Sequence, residues 1–119
     1  MIVICFIITA VLPYLLCGVN SAIIVTKIKT GEDIRTMGSG NAGLTNTLRT
    51  QGKLAALFVL IGDVAKGVLS VIFVGLSFKL LAGIDPWAAG CEYEWVLYAS
   101  GASAILGHVF PVYYGFKGG

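Results

Sequence analysis

Between Gly38 and Arg49 the chain reads Gly38-Ser39-Gly40-Asn41-Ala42-Gly43-Leu44-Thr45-Asn46-Thr47-Leu48-Arg49, a polar, glycine-rich stretch in an otherwise apolar sequence. Gly38, Gly40 and Gly43 free the backbone to take positive φ and allow a ligand to approach it closely. Such a backbone can turn several N–H groups inward as a concave nest for an anion. If a helix starts near Gly40, then Asn41, Thr45 and Arg49 follow at four-residue spacing and share one face. Arg49 then offers a planar fork to phosphate or carboxylate oxygens, with hydroxyl and amide donors on the preceding turns. The competing reading is a flexible, well-capped loop with Ser39 or Asn41 as the N-cap. The density of donors favours a phosphate site.

The rest of the chain must hold this stretch at a surface. Of its 119 residues, 57% are hydrophobic and 12% charged, against about 25% charged in soluble domains. The apolar residues lie in long runs, so the fold class is all-α integral membrane. A net charge of +2 is too small to point to nucleic acid. Cys5, Cys17 and Cys91 show neither a pairing pattern nor metal-ligand spacing, and all three read as free thiols. No metal cluster and no cofactor motif is visible.

Three spans follow. Residues 2–25 are apolar apart from a few small polar residues and Pro13, and exceed the roughly 20 residues that a bilayer needs. Basic residues follow this run and none precede it, which is the wrong order for a signal peptide. Cys17, Asn20 and Ser21 share a face and are expected to turn towards other helices. The loop 27–53 carries Lys27, Lys29, Arg35, Arg49 and Lys53, five of the eight basic residues. The positive-inside rule therefore places it in the cytoplasm and the N-terminus outside. Residues 54–81 form the second span, with Asp63, Lys66, Gly67 and Ser70 as one polar and small stripe. Asp63 and Lys66 are read as an i, i+3 ion pair that sets helix packing, with a substrate or proton path as the alternative. Residues 82–94 contain acidic residues and no basic one, an external loop with Trp87, Tyr93, Trp95 and Tyr98 as an interfacial belt. Residues 95–110 form a third, shorter span with small residues on a broad face. His108 lies at its cytoplasmic end, followed by the glycine and lysine segment Tyr113 to Gly119.

Several of these motifs together resemble a known family. Gly38 to Asn46 with Arg49, preceded by Asp33-Ile34-Arg35, is similar to the first motif of the bacterial acyl-phosphate:glycerol-3-phosphate acyltransferases of the PlsY type. Asp63-Val64-Ala65-Lys66-Gly67 and Gly107-His108-Val109-Phe110-Pro111-Val112, before Phe116-Lys117-Gly118-Gly119, resemble that family in the same order. The likeness covers nearly the whole chain from Tyr14 onward.

The resemblance implies a seven-helix membrane enzyme with its N-terminus outside, of which three transmembrane helices are present here. It implies location in the bacterial inner membrane, with the motifs gathered on the cytoplasmic face. It also implies transfer of a fatty acyl group from acyl phosphate to the 1-hydroxyl of glycerol 3-phosphate, giving lysophosphatidic acid for phospholipid synthesis. Membrane lipid is the surrounding partner, and no cofactor is implied. Ser39, Arg49 and His108 are then the catalytic candidates. Gly38, Gly40, Asn41, Gly43, Thr45, Asn46, Lys117, Gly118 and Gly119 are the candidates for binding substrate phosphate. Phosphate is a good leaving group and the attacking hydroxyl belongs to the substrate, so the site needs donors and fixed positive charge more than a nucleophile. Direct transfer, with a substrate phosphate oxygen taking the proton, is ranked above a Ser39 acyl-enzyme with His108 as base.

In the family the second motif continues into a further lysine, and a third motif and four more helices follow. The chain reads as the N-terminal half, a single membrane domain over residues 1–119, expected to be inactive alone and to self-associate or be degraded. Two other readings are a fragment of a polytopic transporter for a phosphorylated anion and a small membrane scaffold. The first would show an inverted hydropathy repeat and a helix broken at the midplane, and the sequence displays neither.

Overall fold

The computed structural model describes residues 1–119 as five α-helices with no strand. They are α1 (Ile2–Cys17), α2 (Ser21–Thr30), α3 (Leu44–Gln51), α4 (Lys53–Ser77) and α5 (Trp95–Val109). Three segments are long and apolar enough to cross a membrane: Ile2–Thr30, Lys53–Ala82 and Trp95–Tyr114. The last five residues of the second, Phe78–Ala82, form a π-helical turn that ends at Gly83.

The first segment differs from the single helix expected over residues 2–25, because it breaks at Gly18-Val19-Asn20. The cause is local. Asn20 takes an extended conformation (φ −99°, ψ 113°), and its side-chain oxygen accepts the Ile23 N–H at 3.0 Å, which starts a new helix. Asparagine is among the strongest N-cap residues because its short side chain reaches the backbone donors a turn ahead. The new helix then runs past Val25 to Thr30 and stops at Gly31, whose φ of 77° is the left-handed conformation that suits glycine. The single helix expected over residues 2–25 is therefore corrected to two helices, α1 and α2.

Together α1 and α2 run antiparallel along α4. The Cys5 thiol donates to Ser77 O at 3.4 Å, Cys17 Sγ lies 3.2 Å from Ser70 Oγ, and Lys29 Nζ donates to Gln51 O. Gly62 leaves the room that Ser21 occupies; a Cβ at 62 would collide with its hydroxyl. Cys17, Asn20 and Ser21 do turn inward, although they sit on two helices and the link between them. Because Ser70 Oγ donates to Lys66 O at 2.7 Å, the Cys17 thiol is the donor to Ser70.

Helix α5 lies on α1. Ser103 Oγ donates to Ala10 O at 2.5 Å and the Tyr14 hydroxyl donates to Phe110 O at 2.6 Å. Gly107 is buried against the Tyr14 backbone, which a Cβ would overlap. Small residues permit this approach where lipid offers no hydrophobic drive to pack helices. At the other end of the bundle Phe6 meets Phe78 edge-on at 5.5 Å and stacks on Trp95 at 5.7 Å, with Tyr93 alongside. Trp87 fills the notch left by Gly75. Of the four aromatic residues expected as a belt, Trp87, Tyr93 and Trp95 therefore pack partly on protein, and Tyr98 is the most exposed.

Gly107→Val is expected to destabilise the bundle by about 1–3 kcal/mol, the usual range for overpacking a filled site. Thermal unfolding in detergent, followed by circular dichroism, measures this; an unchanged midpoint would mean that α1 and α5 do not pack through Gly107.

Candidate functional site

The glycine-rich loop is held by two buried asparagines. Asn20, buried at the helix break, donates through Nδ2 to Ala42 O at 3.0 Å. One side chain thus caps α2 and pins the loop. Asn46, on the buried face of α3, accepts the Ser39 N–H at 3.1 Å and donates to Met37 O at 3.1 Å and Asn41 O at 2.9 Å. Gly38 has φ 51°, and a Cβ there would run into Asn46 Oδ1, so glycine is required both for the turn and for the contact.

These bonds change several expected roles. Helix α3 starts at Leu44, with Gly43 as an N-cap that has no side-chain bond. Neither Ser39 nor Asn41 caps it, and Asn41 precedes the helix instead of sharing a face with Thr45 and Arg49. The Ser39, Gly40 and Asn41 N–H groups bond to Asn46 Oδ1, Met37 O and Ser39 Oγ respectively. They are therefore not a free anion nest. The Asn46 amide is engaged by the loop on both its oxygen and its nitrogen. What is left facing outward is the first turn of α3, with no side chain capping its N–H groups, and the exposed side chains of Ser39, Asn41, Thr45 and Arg49. Helix N-termini attract anions because those N–H groups lack internal partners.

Arg35 joins this loop to the C-terminal segment. Its Nε and Nη2 bind the Asp33 carboxylate, with Nη2 at 2.7 Å from Oδ2. Its Nη1 donates to Tyr114 O at 2.7 Å and Lys117 O at 3.2 Å, and the guanidinium lies 5.6 Å from the Tyr114 ring centre. The side-chain bonds from Arg35 hold the Asp33 carboxyl below the ordinary carboxylate range, and the same pairing raises Arg35. A lowered carboxyl contributes stability above its unfolded value, near pH 4, which is lost only as pH falls through the still lower folded value. The pair is thus intact at neutral pH. In the sequence Arg35 reads as one of the loop's basic residues and, with Asp33, as part of the resemblance; an arginine two residues from an aspartate carries no local sign of a partner eighty residues away.

The C-terminal segment folds back on α5. Gly118 N–H donates to Val109 O at 3.1 Å and Gly119 N–H to His108 O at 2.9 Å, closing carbonyls that the helix end leaves open. A Cβ at Gly119 would collide with the His108 ring beside Nε2. The Lys117 side chain is exposed.

Beneath these segments lies a buried polar cluster. Lys66 Nζ stands 3.2 Å from Asp63 Oδ1, the i, i+3 pair expected from the sequence. The same nitrogen donates to Val19 O at 3.0 Å, at the helix break, and lies 2.9 Å from His108 Nδ1. A small cavity of about 210 Å³ opens beside these three residues, between Cys17 and Ala104. Ser39 and His108 make no hydrogen bond to each other. The candidate residues thus fall into three connected groups: the loop with Arg49, the tail with Lys117, and the His108 cluster. Arg35 links the first two, and the Gly119–His108 contact links the last two.

The family model described as glycerol-3-phosphate acyltransferase matches residues 7–119. A glycerol-3-phosphate acyltransferase of Coxiella burnetii is 43% identical over 114 residues, covering 96% of this chain and 52% of the relative. One from Clostridioides difficile is 44% identical over the same length, again covering 52% of the relative. A crystal structure of PlsY, an integral membrane glycerol 3-phosphate acyltransferase, in its glycerol 3-phosphate form aligns with TM-score 0.72 and 33% identity, covering 97% of this chain and 50% of that one. The lysophosphatidic acid form aligns with TM-score 0.68 and 30% identity. The chain spans about half the length of these relatives.

Arg35→Lys should loosen the tail, since an ammonium cannot serve Asp33 and two carbonyls in one plane. Hydrogen–deuterium exchange is expected to accelerate at residues 114–119 while the middle of α4 stays protected. Equal protection in both proteins would show that the tail is held by its α5 contacts alone.

Proposed function

The chain belongs to the glycerol-3-phosphate acyltransferase family, and we propose that it supplies the phosphate-binding part of an enzyme that acylates the 1-hydroxyl of glycerol 3-phosphate from acyl phosphate. The observation that carries this reading is the outward-facing first turn of α3. Its N–H groups have no side-chain cap, Thr45 and Arg49 project from the same helix one turn apart, and Ser39 lies on the loop that Asn46 holds against it. An N-terminal turn, a hydroxyl and a guanidinium together suit a dianionic phosphate. Lys117 adds an exposed positive charge on a segment tied to the same loop by Arg35.

In the reaction the substrate hydroxyl attacks the acyl carbonyl and the bond from carbonyl carbon to phosphate oxygen breaks. Inorganic phosphate leaves, and the hydroxyl proton passes to a phosphate oxygen. The protein's share is to hold two phosphorylated molecules together and to stabilise the charge that develops between them. We favour direct transfer over an acyl-enzyme, since Ser39 and His108 share no hydrogen bond and Lys66 orients His108 through Nδ1.

The protein is a multi-pass membrane protein. We place its N-terminus and residues 82–94 outside a bacterial inner membrane and the loop 27–53 in the cytoplasm, from the crowding of basic residues in that loop. The helix break is the one feature that a transporter would also have. It lies roughly 26 Å from the start of α1, at 1.5 Å per residue, well past the midplane where transporters keep their sites. Its Val19 carbonyl is closed by Lys66 and not turned to a solute.

Arg49→Lys is expected to lower the rate about tenfold or more, since tenfold corresponds to about 1.4 kcal/mol of lost transition-state stabilisation and a bidentate charged contact is worth at least that. The assay is labelled glycerol 3-phosphate and acyl phosphate with membranes expressing the gene, read as labelled lysophosphatidic acid. Near-normal turnover would reduce Arg49 to a topology signal. Orientation is checked separately: an impermeant thiol reagent added outside should modify Cys91 and spare the cysteine of a Thr36→Cys variant. The opposite pattern would place the loop outside, away from cytoplasmic substrates.

A further inference from the structure

We propose that Lys66 is a positioning residue for His108, and that the imidazole it orients serves the site as an N–H donor and not as a base. The second half rests on the acyltransferase reading; the first does not.

Lys66 is buried, with 9% of its surface exposed, and it extends from α4 to two other elements. Breaking a helix within a membrane leaves carbonyls without partners and no water to satisfy them. Lys66 donates to one of them, Val19 O, at 3.0 Å. Across the same gap it reaches His108 on α5 at 2.9 Å from Nδ1. An ammonium carries three donors and no acceptor. The Nδ1 atom must therefore accept, and the ring proton sits on Nε2. Asp63, 3.2 Å from the ammonium, is the counter-charge, and its Oδ1 is buried without a hydrogen bond of its own. The other residues around the ring cavity are Cys17, Gly67, Ala104 and Ile105, none of which brings a charge.

The consequence lies on the opposite edge of the ring. Nε2 packs against Gly119, whose lack of a side chain is what lets the ring edge reach the tail. A protonated Nε2 can donate to a phosphate oxygen held along the tail. It cannot accept the substrate's proton without first losing its own. Direct transfer needs no such base, because the departing phosphate can take the proton. Lys66 thus does by hydrogen bonding what a carboxylate does in many histidine sites, with the opposite tautomer as the result.

The chain has one histidine, so isotope-labelled histidine gives a single ring to read by nitrogen NMR in lipid nanodiscs. The wild-type protein is expected to show one slowly exchanging Nε2–H tautomer with an unprotonated, hydrogen-bonded Nδ1. Lys66→Arg, which is also purely a donor, should keep that pattern. In Lys66→Met the two ring-nitrogen shifts should move towards each other as the tautomers average. Lys66→Gln, with a neutral donor, serves if Met is not tolerated. An Nδ1–H tautomer in the wild type, or ring shifts unchanged in Lys66→Met, overturns the arrangement. This measurement needs no substrate, so it decides the Lys66 role whatever the acylation assay returns. The donor role is tested by substitution at His108. His108→Gln, which keeps an N–H near the Nε2 position, should retain activity within about tenfold of wild type, whereas His108→Phe should lose it. If Gln is as inactive as Phe, the imidazole acts as a base and the donor assignment falls.

Discussion

Everything on the loop side of this protein depends on how a helix break is made tolerable inside a membrane. An unsatisfied carbonyl in hydrocarbon costs several kcal/mol, so a break persists only where the freed groups find partners. Here two buried side chains provide them. Asn20 caps the new helix, and Lys66 closes the Val19 carbonyl. Neither stops there. Asn20 goes on to hold Ala42 of the glycine loop, and Lys66 goes on to His108. The residues that repair the break are the same ones that position the loop and the imidazole. Local backbone satisfaction and site geometry are therefore one problem with one solution.

Arg35 plays the corresponding part at the aqueous edge. Its fork engages a carboxylate two residues away on one side and two carbonyls of the C-terminal segment on the other. The pairing is partly exposed, so its Coulombic contribution to stability is small. Its value is geometric, because a planar five-donor group can fix three acceptors in one plane where an ammonium cannot.

The membrane class, the three spans and the ion pair of Asp63 and Lys66 were legible because they depend on composition and on i, i+3 spacing, both local quantities. The break at Gly18-Val19-Asn20 was not, although its signal was present. Asn20-Ser21 is a strong N-cap pair, but it is embedded in an apolar run whose length alone argues for a single helix. Within the candidate site, residue type picked out the polar stretch but not which of its side chains the scaffold uses. Asn46, Asn41 and Ser39 all looked like ligand donors. Asn46 is instead consumed by Ser39 N–H, Met37 O and Asn41 O, which no spacing rule distinguishes from binding a phosphate. The link between Lys66 and His108 joins residues 42 positions apart, beyond any local pattern.

That division of side chains has a general physical basis. In a chain so poor in polar residues, most buried polar side chains are claimed by the backbone, the Thr26 hydroxyl being an exception, because the alternative is an orphaned donor or acceptor. Asn20, Asn46, Lys66 and Ser70 are all buried and all bonded to main-chain carbonyls. The side chains free to meet a substrate are those left over once that demand is met: Ser39, Asn41, Thr45, Arg49 and Lys117, each exposed and none bonded to a side chain of another residue. They lie on the glycine loop, the helix it feeds and the tail that Arg35 ties to it. Catalytic candidates in such a protein are thus better recognised by what the scaffold has not used than by which residue types the motif contains. His108 stands between the two sets. One of its nitrogens belongs to the scaffold through Lys66, and the other remains to be offered to the substrate.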